Sequence, residues 1–249
     1  MRKKNAETDI ILPNYNSYKY LDATIKSVIS QTYKNWRLII VDDASNQKTK
    51  KIVKKYQKIK KIKIIWLKKN RGAAFCRNLG LKISKSKYIA FLDSDDIWNK
   101  KKLSQQIAFI KNNNYNFTYT YYETFGRVNN KIRVPDIFSY SSFIKDTSIS
   151  MSTILLNRKI VKNIKFIDTK VCEDYLFKCD LLRREKYAYC LKKYLAKYRV
   201  RDKSLQSNKL RNVYCIWKIN KKYNKLNFFE NISSILSISL SSLKKYGFK

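Results

Sequence analysis

Short apolar runs alternate with stretches of helical spacing along the first part of the chain. Ile10-Ile11-Leu12 is a strand-like run ended by Pro13, and Asn14-Tyr15-Asn16-Ser17 behind it is turn chemistry. Leu21, Ile25, Val28 and Ile29 then mark an amphipathic helix to about Thr32. Leu38-Ile39-Ile40-Val41 reads as a second strand, ending in Asp42-Asp43-Ala44-Ser45. Ile52, Val53 and Tyr56 mark a second helix with a basic outer face. Ile62 to Leu67 is a third strand, ending in Lys68-Lys69-Asn70-Arg71-Gly72, and Ala73 to Ile83 has helical composition. Tyr88 to Leu92 is a fourth strand that runs into Asp93-Ser94-Asp95-Asp96. Leu103, Ile107 and Ile110 mark a further helix.

Strands alternating with helices predict an α/β fold, a mostly parallel sheet with helices on its faces. Right-handed crossovers then put the carboxyl ends of all four strands on one edge, where open α/β sheets bind ligands. Every polar or aromatic cluster named above follows a strand, so they gather on that edge and predict a site there.

The rest of the chain is less regular. Phe117 to Tyr122 alternates like a strand, Val128-Asn129-Asn130-Lys131-Ile132 suggests a hairpin, and Ser148 to Leu156 is a candidate strand. Val171-Cys172-Glu173-Asp174-Tyr175-Leu176-Phe177 places an acidic pair at the start of a helix. From about Leu210 the pattern changes: Phe228, Phe229, Ile232, Ile235, Leu236, Ile238, Leu240 and Leu243 are interleaved with Ser and followed by Lys244-Lys245. That tail is too polar and short to span a bilayer. It suits either a membrane interface or a helix pair packed on the main domain. The expected division is residues 1–110, 111–209 and a helical tail 210–249.

Composition narrows the chemistry. The 249 residues, 44% hydrophobic, suit a globular chain with a sizeable core. Lys and Arg number 55 against 18 Asp and Glu, a formal charge of +37. Either an anionic partner or a compositional bias accounts for this, since the lysines are spread along the chain and form no single tail. There is no His, so any metal must be held by oxygen. Five Cys with no Cys-x-x-Cys point to a reduced, cytosolic protein. Met1 to Thr8 lacks the apolar core of a signal peptide. Neither Gly-x-Gly-x-x-Gly nor Gly-Lys-Ser/Thr occurs, so phosphates must be held by metal and side chains.

Three carboxylates at Asp93, Asp95 and Asp96 repel one another unless a cation or helix amides sit beside them. A divalent metal carrying a diphosphate is the candidate cation; the plainer alternative is that these Asp cap the next helix.

Pro13-Asn14-Tyr15-Asn16, Ser30-Gln31-Thr32-Tyr33, Val41-Asp42-Asp43-Ala44-Ser45, Asn70-Arg71-Gly72 with Arg77-Asn78, and Asp93-Ser94-Asp95-Asp96 together resemble the family 2 glycosyltransferases, in order and spacing from about Thr8 to Ile110. The resemblance implies a GT-A, Rossmann-like fold and inverting transfer from a nucleotide diphosphate sugar, usually of uridine. It implies that Tyr15 stacks on the base and that Asp43, or Asp42 beside it, accepts a hydrogen bond from a base N–H. Arg71 would lie by the base or the diphosphate, with Arg77 a further phosphate candidate. Pro13, Asn16, Asn70 and Ser94 complete the donor-binding motif positions. Asp93 would bind the ribose, the donor sugar or, with Asp95, the metal, Mn²⁺ or Mg²⁺. Asp174, with Glu173 second, would be the base that inverting transfer needs. Tyr198-Arg199-Val200-Arg201-Asp202-Lys203-Ser204-Leu205 resembles a segment that closes over the diphosphate.

The Gln-x-x-Arg-Trp signature of processive synthases is absent, and Arg211 and Trp217 do not supply it, which favours one sugar per encounter. The implied acceptor is a hydroxyl of a glycan or lipid-linked acceptor in cell-surface polysaccharide biosynthesis. The implied location is the cytoplasm, peripheral at the inner face of the plasma membrane, with an anionic membrane surface as partner rather than nucleic acid. A non-catalytic basic module binding anions or membranes on the same fold is the alternative, and the intact acidic motifs argue against it.

Overall fold

A computed structural model describes residues 6–201 and 209–246; Met1 to Asn5 and the Asp202 to Leu205 part of the closing segment lie outside the described residues. The predicted alternation is realised as β1 (Thr8–Asn14), α1 (Leu21–Ile29), β2 (Trp36–Asp42), α2 (Gln47–Lys54), β3 (Ile62–Trp66), α3 (Gly72–Ile83) and β4 (Tyr88–Phe91). β1 pairs in parallel with β2 and β4, and β2 in parallel with β3. Every residue of β1 is buried, as a central parallel strand covered on both faces requires. Successive side chains of β2 go to opposite faces: Leu38 and Ile40 join the main core, while Ile39 and Val41 join Cys76 in a second cluster. Gly80 lets α3 approach β1, since a Cβ there would lie 2.5 Å from Ile11 Cγ2.

Two boundaries differ from the sequence pattern. Pro13 does not end β1, which runs on to Asn14. The Ile11 carbonyl accepts from Leu92 N on the β4 side, so Pro13, two residues on, faces that same side. Pairing with β4 stops at Ile11 opposite Phe91, so no ladder bond is missing for want of the proline N–H. α1 stops at Ile29 rather than near Thr32, because buried Gln31 turns inward. Its side chain donates to the Asn99 and Ser27 carbonyls and accepts from Leu103 N, tying the end of α1 to the helix that starts at Lys102.

Beyond β4 come β5 (Ile97–Trp98), α4 (Lys102–Asn112), β6 (Phe117–Gly126), β7 (Lys131–Ile132), β8 (Ile137–Ser139), α5 (Tyr140–Phe143), β9 (Leu155–Asn157), α6 (Glu173–Glu185) and β10 (Tyr187–Val200). All the strands form one sheet with the order β3-β2-β1-β4-β9-β6-β10-β5; β7 lies on β6 and β8 on β10. The sheet is mixed, because β9 runs antiparallel between β4 and β6. The stretch from Ser148 to Leu156 is mostly not a strand: Met151–Thr153 is a 3₁₀ turn, and only Leu155 and Leu156 belong to β9. β10 shifts register against β6 between Leu191 and Ala196. The shift bends the strand so that it reaches β5, immediately after the acidic turn.

The tail forms α7 (Lys209–Ile219) and α8 (Phe228–Tyr246), joined by a π turn. It packs on α6 through polar groups: Tyr175 Oη donates to Asn220 Oδ1 at 2.7 Å, and Asn220 Nδ2 donates to Asn231 Oδ1 and Ser234 Oγ. No helix of the described residues is long and apolar enough to cross a membrane.

Candidate active site

The ends of β1, β2 and β3 are knitted together by carboxylates that accept from uncharged donors. Buried Asp42 takes Asn14 Nδ2 at 2.6 Å and Ser45 N at 3.1 Å. Asp43 takes the amides of Arg71 and Gly72 at 2.7 and 2.8 Å. Gly72 sits at φ +84°, which turns its N–H toward that carboxylate; a side chain there would be strained. Asn16 and Ala44 also hold left-handed backbone, at φ 51° and 56°. Such strain in two adjoining loops is a mark of a functional edge. Tyr15 rises from this edge, 52% exposed, and the Arg71 guanidinium lies over the Phe75 ring at 4.1 Å. Asn70 beside it is exposed.

The turn after β4 adjoins the turn after β1, since Ser17 Oγ and Ser94 Oγ share a hydrogen bond of 2.6 Å. Its three carboxylates have different partners. Asp93 Oδ1 pairs with Arg77 Nη2 at 2.8 Å, and the same guanidinium reaches Glu173 Oε1 at 2.7 Å. Burial works against the charge of Arg77, but Asp93 and Glu173 outweigh it and hold the group more firmly protonated than usual. Asp95 Oδ2 lies 2.9 Å from Arg201 Nε, and Arg199 Nε donates to the Asp95 carbonyl. Burial raises the Asp95 carboxyl; Arg201 opposes this and Asp93 adds to it. Asp96 points inward and accepts from Ser152 Oγ at 2.6 Å and Arg199 N at 2.9 Å. Burial, with Asp95 and Asp93 nearby, pushes its carboxyl well up. Asp96 therefore fixes the turn to β10, while Asp93 pairs with buried Arg77 and Asp95 with exposed Arg201.

The chain enters α6 through left-handed Lys170 and Cys172, at φ 63° and 62°. This kinked entry presents Glu173 and Asp174 in the first turn, where helix amides favour negative charge. Asp174 Oδ2 pairs with buried Lys178 Nζ at 2.8 Å, one turn on. Burial raises the Asp174 carboxyl, but the charge and hydrogen bond of Lys178 and the charge of Arg77 outweigh it, so its net shift is downward. It stays ionised at neutral pH and can accept a proton.

The sequence profile of Glycosyl transferase family 2 matches residues 9–190. The chain belongs to this family. It is 31% identical over 241 residues to the putative teichuronic acid biosynthesis glycosyltransferase TuaG of Bacillus subtilis (strain 168), spanning 95% of this chain and 96% of that protein. It is 39% identical over 210 residues to the UDP-Glc:alpha-D-GlcNAc-diphosphoundecaprenol beta-1,3-glucosyltransferase WfaP of Escherichia coli, spanning 82% and 81%. Among solved structures, S. aureus TarS 1-349 in complex with UDP-GlcNAc superposes with a TM-score of 0.74 at 22% identity, spanning 96% of this chain and 73% of that one. The mannosyltransferase PcManGT of Pyrobaculum calidifontis, in complex with GDP-Man and Mn2+, gives 0.70 at 12%, spanning 94% and 70%. The fold is therefore GT-A, with the tail helices appended.

In this family 2 glycosyltransferase, the motif residues Tyr15, Asn16, Asp43, Arg71, Asp93, Ser94 and Asp95 follow the ends of the parallel strands on one sheet edge, and the Ser17–Ser94 bond links the first turn to the acidic one. Pro13 is buried in β1, and Asp42 is wholly buried, its carboxylate tied to Asn14 and Ser45. Arg77 bridges two acids rather than lying open on a helix face. Among the described residues, no group of three or more Cys, Asp or Glu is placed to hold a metal by itself. Sequence reasoning missed Ser152, Ser17 and Lys178. Lys178 carried a usable signal, four residues after Asp174 on a helix. Ser152 carried none, since it arrives from a distant 3₁₀ turn.

Proposed function

We propose that this glycosyltransferase moves one sugar, with inversion, from a uridine diphosphate sugar to a hydroxyl of a lipid-linked glycan precursor of a cell-surface polysaccharide. The observation that carries this reading is the Arg77 bridge, which joins Asp93 at the donor edge to Glu173 beside Asp174. One side chain thus couples the proposed sugar-holding group to the residue next to the proposed base. TuaG is named for teichuronic acid biosynthesis, and WfaP for a diphosphoundecaprenol-linked acceptor and a UDP-Glc donor, which supports the choice of donor and acceptor class.

Tyr15 stacks on the uracil, and Asp43, whose carboxylate keeps lone pairs beyond its two amide bonds, accepts from the base N–H. Arg199 and Arg201, near Asp95, face the diphosphate. A divalent cation suits the donor set: Asp93 and Asp95 offer hard oxygens, and both are partly open to solvent. Mg²⁺-like ions are commonly held by one or two carboxylates with substrate phosphates completing the shell, so a full protein cage is not required. Asp93 and Asp95 would hold Mn²⁺ or Mg²⁺, which would neutralise charge on the leaving diphosphate. Asp174 takes the acceptor hydroxyl proton as the oxygen bonds to the anomeric carbon. The bond from that carbon to the diphosphate oxygen breaks on the opposite side, releasing the nucleoside diphosphate. Lys178 and the first turn of α6 keep Asp174 ionised for this step.

A thermal-shift panel of UDP-, GDP-, dTDP- and CMP-sugars, with and without Mn²⁺, tests the donor. A UDP-sugar at 100 times its Kd stabilises the protein by about 2.7 kcal/mol. Silence across the panel overturns the assignment. Asp174→Asn should keep that shift and lose transfer by about 10²–10⁴-fold. Because the base acts ionised and its carboxyl is lowered, protonation of Asp174 should cost turnover only below the usual carboxylate range, about pH 4, and an acid limb above that point belongs to Asp95, whose carboxyl burial raises. Near-normal transfer by the variant places the base elsewhere.

A further inference from the structure

Helix α8 is inverted relative to an ordinary packed helix. Its inward face carries polar Asn231 and Ser234, 2% and 0% exposed, helped by partly buried Ile235 and Ile238. Ser234 Oγ donates to the Ile144 carbonyl, and Asn231 Nδ2 to that of Trp217. Its outward face carries Phe229 at 80% exposure and Leu236 and Leu240 at 59%. These three recur at seven and four residues, which aligns them along one stripe. Phe228, 62% exposed, packs edge-on against Phe229 and against Trp217 of α7, making an aromatic cluster at one end of the stripe. Buried polar bonds fix the orientation, so the stripe cannot simply roll inward. Water is the wrong solvent for it.

We infer that this stripe is a docking face for an anionic lipid leaflet. Three observations select that occupant. Exposed Lys218, Lys221, Lys222 and Lys225 lie on α7 and the turn leading into α8, and exposed Lys244 lies one turn beyond Leu240, against one acid of the tail, Glu230, that caps α8 at Asn227 N. Apolar and aromatic side chains rimmed by lysine are the pattern of a helix lying in a membrane interface. A second copy of this chain is disfavoured as occupant, because each copy carries a formal charge of +37. The stripe is also tied to the proposed catalytic helix. Tyr175, the residue after Asp174, donates to Asn220 at the root of the tail, so a seated α8 holds the first turn of α6 at the leaflet. This last point rests on the proposed lipid-linked acceptor; the docking face itself does not.

The test is co-sedimentation of the full chain with vesicles of phosphatidylglycerol and phosphatidylcholine, against phosphatidylcholine alone. Binding is expected to the mixed vesicles only and to weaken with salt. The triple variant Phe229→Ser, Leu236→Ser, Leu240→Ser should lose at least tenfold in vesicle affinity, with an unchanged UDP-sugar thermal shift. If the triple variant does not fold, Phe229→Ser alone should lose about threefold, since it removes one exposed side chain. Equal binding to both vesicles, no binding, or wild-type binding by a folded variant overturns the inference. So does a dimer, seen in sedimentation velocity, that the variant dissociates. Failure of the UDP-sugar shift with intact vesicle binding would sink the donor assignment and leave this face standing.

Discussion

Two neighbouring regions of the sheet edge use carboxylates in opposite ways. Around the ends of β1 to β3, Asp42 and Asp43 accept from amides and an asparagine, all uncharged. Around β4 and α6, Asp93, Asp95, Glu173 and Asp174 face Arg77, Arg201 and Lys178. A carboxylate held by fixed backbone amides sets the shape of a loop and keeps those partners when a ligand arrives. A carboxylate held by a side-chain cation can exchange that partner for a metal or a proton as substrate arrives. Asp96 shows that the distinction follows partners and not sequence position: it lies in the acidic turn, yet Ser152 and a backbone amide hold it. Acids that look alike along the chain divide into scaffold and chemistry only once their partners are known.

The contrast breaks most sharply at Arg77. Arg77→Met leaves Asp93 and Glu173 close together without their shared cation. Breaking a buried pair in this way costs about 3–5 kcal/mol, with the lower figure expected because Asp93 is partly solvated. For a chain of this size that is a fall of about 10 °C in Tm. If the bridge also sets the spacing between donor and base, kcat should drop about 100-fold beyond any change in KM. Arg77→Lys restores one partner and should recover part of the stability and less of the turnover. Wild-type kcat in the folded Met variant would reduce Arg77 to a purely structural tie.

The first region was legible in the sequence because each site residue there lies within a few positions of a strand end. Strand order and handedness then do the gathering, and no side-chain detail is needed. In this way the alternation of strands and helices alone places Tyr15, Asp43, Arg71 and Asp93 on one edge. The pairing of Arg199 and Arg201 with the acidic turn was not legible, since they arrive from far along the chain. Arg199 and Arg201 meet the acidic turn just beyond the register slip of β10 against β6, a choice made by pairing and invisible in the local pattern of Tyr and Lys. Ser152 comes from a stretch whose apolar character suggested a strand but whose hydroxyls and carbonyls serve Asp96 and Trp98 instead. The tail shows the same limit: its spacing revealed an amphipathic helix, but not that the polar side faces inward.

Asp43→Asn sharpens the comparison from the other side. An amide side chain can present one acceptor oxygen to the N–H groups of Arg71 and Gly72, and its NH₂ opposes the other. The expected cost is about 2 kcal/mol of stability, from a buried donor left unpaired. Asp95→Asn is the control, and its midpoint should move by less than about 0.5 kcal/mol, because burial already disfavours that charge. Equal losses in the two variants, read by urea denaturation, would erase the difference between amide-held and cation-held acids.

The smallest effect is expected at Tyr15, and it isolates binding from both scaffold and chemistry. Its ring is 52% exposed, so Tyr15→Ala should change stability by no more than about 0.5 kcal/mol. Stacking on a base is worth about 1–3 kcal/mol, and an exposed platform belongs at the low end. The donor KM should therefore rise roughly 5- to 30-fold, with kcat unchanged, because the contact is made equally in ground and transition states. Tyr15→Phe keeps the ring and should behave as wild type, which separates stacking from a hydrogen bond by the hydroxyl. An Ala variant that lost kcat at constant KM would move Tyr15 out of the amide-held region's binding role and beside the cation-held acids that do the chemistry.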